Sequence, residues 1–255
     1  MRYFVVADVH GHFKELKETL DKNGFDLNNP EHILISCGDL MDRGTQPREC
    51  LKFVMDLYDK KRAILIRGNH EDLIVDILKK SRPDDYDFSN GTVTTIICLA
   101  DMYDEIHTVG KAIENWNLLV EITHDDKLLN RYLDATINYF ETEKFVFVHG
   151  WIPCLWSRFE QRYYPLENWR QEATAFDFEV SRWTSGIDAV EEKIFDKKTI
   201  ICGHRPTCYW HQRFDNIIND YTPYFSKKAI CLDGCTFTSK ICNCLVIENE
   251  KILNY

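Results

Sequence analysis

The sequence has no CxxC pair, no excess of basic charge, and no apolar stretch near the roughly 20 residues that span a bilayer. Each absence removes a class of protein. Ten cysteines scattered without pairing read as reduced thiols rather than a disulfide framework or zinc site, and Cys242 and Cys244 of "KICNCLVIE" read as small buried hydrophobes on a strand. With 31 basic against 41 acidic residues the formal charge is -10, which argues against broad binding to nucleic acid or anionic membranes, since both rely on a basic surface. The opening "MRYFVVADVH" carries one arginine and a short apolar run stopping at Asp8, without the length or cleavage site of a signal peptide, so the expected location is cytoplasmic. There is also no internal repeat, low-complexity tract or convincing linker, which favours one elaborated domain over residues 1–255.

What is present is a recurring pattern. Five short β-branched or aromatic runs, "RYFVVAD", "HILISCGD", "RAILIRGNH", "KFVFVHG" and "KTIICGH", read as buried strands, and each stops at Asp, Asn or His. Segments of helical period follow the first three, so the alternation predicts βαβ units and a largely parallel α/β sheet. Residues 81–142 open with the turn-rich "SRPDDYDFSNG" and continue with helical period, a helical insertion beside the sheet or over its edge. Residues 151–179 are aromatic and irregular, 178–195 read as helical, and the tail from 227 reads as two or three antiparallel strands.

In open α/β sheets ligands bind beyond the carboxyl ends of the strands. The residues gathered there are Asp8 and His10, Asp39 and Asp42, Asn69 and His70, His149, and His204. Singly, each has a bland reading as a helix cap or a hydrogen-bonded imidazole. Five such endings together point to mixed oxygen and imidazole ligation, which suits Mn²⁺, Fe or Zn²⁺. The set is too large for one metal and right for two divalent ions sharing a carboxylate.

"DVHG" at 8–11, "GDLMDRG" at 38–44, "GNHE" at 68–71, "HG" at 149–150 and "GH" at 203–204 resemble, in order, the motifs of the calcineurin-like metallophosphoesterases, in particular the compact bacterial and phage form of the phosphoprotein phosphatase branch. The resemblance implies a four-layer αββα sandwich, two mixed sheets flanked by helices. It implies two divalent ions, Mn²⁺ first with Fe or Zn²⁺ as alternatives, with Asp8 and His10 on one, Asp39 bridging, and Asn69, His149 and His204 on the other. It further implies Arg43 on phosphate oxygens, His70 as general acid oriented by Asp42, and direct attack of a metal-bridging hydroxide. A second phosphate-binding arginine is expected, Arg182 ahead of Arg170, with Arg158 and Arg162 on the surface and Arg67 structural. His12 reads as exposed or capping. Trp151, Trp156, Tyr163, Tyr164, Trp169 and Trp183 read as groove lining or packing.

The implied activity is hydrolysis of phosphomonoesters, first phosphoserine and phosphothreonine and then phosphotyrosine in proteins, so the partner is a phosphorylated protein or small phosphoester, with no nucleic acid or membrane. The alternative is a dinucleoside polyphosphate hydrolase of the diadenosine tetraphosphatase kind. Asp42 favours the first, because the symmetrical tetraphosphatases that resemble this pattern lack that carboxylate. A noncatalytic binding protein is the remote third reading.

Overall fold

Alternation along the strands sorts their side chains between two faces, as a period of two requires. The computed structural model describes residues 1–254. Its strands are β1 (Arg2–Val6), β2 (His32–Cys37), β3 (Ala63–Ile66), β4 (Phe140–Glu141), β5 (Phe145–Phe147), β6 (Cys154–Ser157), β7 (Arg162–Pro165), β8 (Thr199–Cys202), β9 (Tyr224–Phe225), β10 (Ala229–Cys231), β11 (Leu245–Glu248) and β12 (Lys251–Ile252). They form two five-stranded mixed sheets, β12-β11-β1-β2-β3 and β4-β5-β8-β10-β9, and the hairpin β6-β7. In each large sheet three parallel strands carry the site, β1, β2 and β3 in one and β5, β8 and β10 in the other.

Between the sheets lie Val5, Ile35, Cys37, Phe145, Phe147, Ile201 and Leu245. The neighbouring residues Phe4, Val6 and Leu34 face outward into a cluster with the helices of the first sheet, and Val146, Ile200 and Cys202 do the same on the second. These three clusters make the α/β architecture four layers deep, two mixed sheets inside and helices outside. The first outer layer includes α1 (Phe13–Lys22), α2 (Pro47–Asp59) and α3 (Asn69–Ile77). Leu16 and Leu20 place one stripe of α1 inward, and Pro47 opens α2 where its missing N–H costs no helical bond.

Residues 81–142 hold five helices, from Asp85–Ser89 to Lys127–Ala135, before β4. Trp116, Leu119, Leu129 and Tyr132 are fully buried in the first outer cluster, so the segment is part of that helical layer. The tail differs from the expected antiparallel run: β10 lies parallel to β8, with Cys231 opposite Cys202. A local pattern cannot report that pairing, which is decided by a strand some 30 residues earlier. Cys242 and Cys244 precede β11 rather than lying in it, and both are buried; all ten cysteines are free.

Candidate active site

Where the parallel strands end, the backbone is held in a conformation that most residues avoid. Asp8, His10, Asp39, Asp42, Arg43 and His204 all have φ between 50° and 71°. Such left-handed residues cost on the order of 1–3 kcal/mol each and persist where the surroundings over-determine them. The surroundings here include glycines at close approach: a Cβ on Gly203 would lie 2.0 Å from Asp8 Oδ2, and one on Gly68 2.2 Å from Asp39 Oδ1. Only glycine lets these backbones pass the carboxylates.

Hydrogen bonds fix which nitrogen of two imidazoles faces the site. His149 Nδ1 donates to the Cys37 carbonyl at 2.8 Å and His10 Nδ1 to the Met41 carbonyl at 3.0 Å, which turns each Nε2 into the site. His149 Nε2 faces Asn69 Oδ1 at 2.8 Å and Asp39 Oδ1 at 3.3 Å. His204 Nδ1 meets the same Asn69 oxygen at 2.9 Å. Carboxylate, amide oxygen and imidazole nitrogens converging in a buried site suit a cation. The donor atoms fall into two groups whose members lie within 4.8 Å, His10 with Asp39 and His70, and Asp39 with His149 and His204. Asp39 belongs to both, as a bridging carboxylate would. Asp8 stands outside these groups, its two oxygens accepting from the His204 backbone N–H at 3.1 and 3.0 Å.

The electrostatics follow from burial. Desolvation pushes His10 well below the ordinary imidazole range, helped by His70 and Arg43, and lowers His204 to about 3, helped by His149. Both rings are therefore neutral at neutral pH. Burial opposes charge on Asp39, but His149, His70 and His10 outweigh it and hold the carboxyl below its usual range. Asp8 is driven up by burial and by the neighbouring Asp233 and Asp39. A divalent cation would reverse that pressure, and the crowding of carboxylates fits one.

His70 joins the first group through Nε2, 3.9 Å from Asp39 Oδ2, and is anchored at its other nitrogen. Its Nδ1 donates to Asp42 Oδ2 at 2.7 Å, and its Nε2 lies 3.3 Å from Arg43 Nη2. Arg43 Nη1 reaches His10 Nε2 at 3.1 Å, so one guanidinium spans both imidazoles. The helical layer completes this corner: Thr92 Oγ1 donates to Asp42 Oδ2 at 2.8 Å, and Asp42 N donates to Thr95 Oγ1 at 2.9 Å. Gly91 packs on Arg43, with space for no Cβ.

Residues 1–213 match the family model described as calcineurin-like phosphoesterase. The chain belongs to that family. The fold agrees with the crystal structure of a cold-active protein-tyrosine phosphatase from a psychrophilic Shewanella, at TM-score 0.55, 15% identity, and 98% of this chain against 76% of the other. Among curated proteins, this phosphoesterase is 34% identical over 76 residues to an asymmetrical bis(5'-nucleosyl)-tetraphosphatase PrpE of Bacillus subtilis (strain 168), covering 28% of the chain and 31% of the relative. It is 40% identical over 88 residues to a symmetrical bis(5'-nucleosyl)-tetraphosphatase of Actinobacillus pleuropneumoniae serotype 3 (strain JL03), covering 33% and 31%. It is 38% identical over 69 residues to the serine/threonine-protein phosphatase PP1-delta of Caenorhabditis elegans, covering 26% and 22%. Each match spans a third or less of the relative.

One residue, His12, stands differently from the sequence reading, and the arginines and aromatics can now be placed. His12 is buried rather than exposed, and it makes no side-chain cap; its Nδ1 donates to the His10 carbonyl at 2.7 Å. Arg182 is buried, with Nε on Asp72 Oδ2 at 2.6 Å and Nη1 on Asn138 Oδ1 at 3.1 Å, while Arg67 holds the other Asp72 oxygen at 2.7 Å. Arg170 is bound between Glu141 and Asp196, and Arg162 is an exposed partner of Glu192. Trp151 and Trp169 are core, whereas Trp156, Tyr163 and Trp183 line an open cavity of about 420 Å³, with Trp183 meeting the His204 ring edge-on at 6.3 Å.

Two supporting carboxylates were not singled out from the sequence. Glu71 accepts from the backbone N–H groups of Gly68, Asp39 and Leu40 and from the Tyr132 hydroxyl, all within 2.7–3.0 Å. It ties the ends of β2 and β3 together. The fourth letter of "GNHE" was the available signal. Asp233, buried beside Asp8, has a pKa lifted to about 6 by burial; it lies in the tail with no motif to mark it.

Proposed function

We propose that this calcineurin-like phosphoesterase is a phosphatase working with two divalent ions, Mn²⁺ first, that hydrolyses phosphomonoesters, foremost phosphoserine and phosphothreonine in proteins. Asp8, His10, Asp39, Asn69, His149 and His204 are the residues that would hold the ions, which when bound supply an activated water and neutralise phosphoryl charge. Arg43, whose guanidinium spans His10 and His70, grips phosphate oxygens with its planar fork. His70 gives a proton to the departing oxygen, and Asp42 holds its ring in the orientation that turns Nε2 toward the phosphate position.

The single observation carrying this reading is the buried Asp42–His70 pair, at 2.7 Å. A serine or threonine alkoxide is a poor leaving group and needs a proton, whereas a phosphate leaving from an anhydride does not. A well-built acid therefore favours esters of aliphatic alcohols. The second reading, hydrolysis of dinucleoside polyphosphates, is favoured by the names of the tetraphosphatase relatives. A side-by-side assay of phosphoserine peptides and diadenosine tetraphosphate on one Mn²⁺-loaded preparation tests the order. Higher kcat/KM for the peptides supports the first reading, and a large preference for the dinucleotide replaces it with the second.

A further inference from the structure

We infer that the cleft on the far side of Arg43 is a second phosphate subsite, taking a further phosphate group carried by the same substrate. The inference rests on the phosphatase reading and extends it. The chain carries a formal charge of -10, yet an open cavity of about 390 Å³ at the edge of the site is lined by His12, Lys14, Arg43 and Lys240 against the single carboxylate of Glu15. Such a local reversal of charge needs a reason. Among the described residues neither Arg43 nor Lys240 has a carboxylate within ion-pairing distance; Lys14 has only Glu18, at 3.8 Å and exposed. Two cations without anionic partners in an acidic protein leave room for an anion from outside.

The backbone holds Lys240 in place. It lies at φ 61°, a conformation lysine avoids, with its N–H on the Thr236 carbonyl at 3.0 Å, and Thr236 Oγ1 donates onward to the Ile241 carbonyl at 3.1 Å. The same loop begins at buried Asp233, whose carboxylate accepts from Cys235 N at 2.7 Å. Lys240 Nζ donates to His12 Nε2 at 2.9 Å and lies 5.8 Å from the Phe237 ring centroid. His12 in turn is anchored on the His10 carbonyl. A loop that starts beside the metal-ligand candidates thus delivers an ammonium to the cleft, and Arg43 joins that cleft to the catalytic centre.

A tetrahedral phosphate suits an ammonium and a guanidinium that converge from different directions. A second phosphate beside the scissile one comes from either of two sources, a polyphosphate chain or a neighbouring phosphorylated side chain. Exposed Phe237 at the rim offers a face for a base in the first case.

The test uses the Mn²⁺-loaded chain and the double variant Lys14→Gln/Lys240→Gln. Binding of pyrophosphate and of orthophosphate is measured by calorimetry, with no free metal. The wild type is expected to bind pyrophosphate at least tenfold more tightly, a preference that the double variant loses and Lys14→Arg/Lys240→Arg retains. Equal affinities in the wild type, or a preference untouched in the glutamine variant, overturn the subsite. In turnover, kcat/KM relative to p-nitrophenyl phosphate is expected to fall about tenfold in the double variant. It falls for diadenosine tetraphosphate if the source is a polyphosphate chain, or for a peptide with adjacent phosphoserines if it is a side chain. Absence of any p-nitrophenyl phosphate hydrolysis by the wild type would defeat the phosphatase reading while leaving the binding result to decide the subsite.

Discussion

His70 Nδ1 and Asp42 Oδ2 lie 2.7 Å apart in a fully buried pair, and the same oxygen accepts from Thr92 Oγ1 at 2.8 Å. This small network gives the imidazole one orientation.

If that orientation serves proton donation, the loss on breaking it depends on the leaving group. Asp42→Asn is expected to lower kcat for phosphoserine peptides about 10²-fold, the lower end of what general acid catalysis supplies. The loss for p-nitrophenyl phosphate should be much smaller, because nitrophenolate departs without a proton. Steady-state kinetics on both substrates, with metal content by elemental analysis, checks this. Equal losses on both would remove the acid role.

The pH profile follows from the same pair. Burial pulls the His70 pKa down, but the charges of Asp39 and Asp42 and the hydrogen bond to Asp42 outweigh it, and the pKa is raised above 6.5. A general acid works while protonated, so kcat is expected to fall as pH rises through this raised value. In Asp42→Asn the descending limb should move to lower pH. A limb that stays in place would assign it to another group.

The helical layer reaches this network through Gly91, Thr92 and Thr95. A Cβ on Gly91 would lie 2.4 Å from Arg43 N, at a φ of 78°. Gly91→Ala should therefore displace Arg43, raising KM for p-nitrophenyl phosphate several-fold and lowering stability by about 1–3 kcal/mol. Thr92→Val, which removes only a hydroxyl donor, should lower kcat and leave KM near its starting value. Kinetics and thermal unfolding separate the two.

Arg170 is engaged by two carboxylates, Asp196 and Glu141. Burial, which opposes charge on both acids, is outweighed by the bonds to its guanidinium, so that both carboxyls are held below their ordinary range. Groups with depressed folded pKa values stabilise above their unfolded values, near 4, and the stabilisation disappears as pH falls through the folded values. Arg170→Ala is thus expected to cost about 1–2 kcal/mol at pH 7 and progressively less as pH falls below about 4, with KM unchanged. Arg182→Ala should raise KM about tenfold. A reversed pattern in KM would transfer the phosphate role to Arg170.

All five strand endings were legible because each combines a β-branched run with a polar stop, and the candidate site residues sit on those stops. The four layers could be expected from the resemblance, and the alternation of Phe4, Val5 and Val6 shows why the chain builds them. What escaped was determined at long range. Thr92 and Thr95 look like ordinary helix residues until Asp42 is placed beside them. Asp233 and His12 acquire their burial from partners distant in sequence, and β10 takes its parallel partner from β8. The choice between Arg182 and Arg170 was drawn from order along the chain, and the structure adds what order could not: Arg170 is engaged by two carboxylates on the outer side of the second sheet, while Arg182 shares Asp72 with Arg67 at the start of α3.

The most direct test of the account is metal stoichiometry read together with activity. Protein stripped by chelation and resupplied with Mn²⁺ is expected to take up two ions per chain and to regain p-nitrophenyl phosphate hydrolysis in step with the second. His149→Ala should hold fewer ions and stay inactive. Full hydrolysis by the stripped protein, or no recovery with Mn²⁺, Fe or Zn²⁺ despite two bound ions, would contradict it.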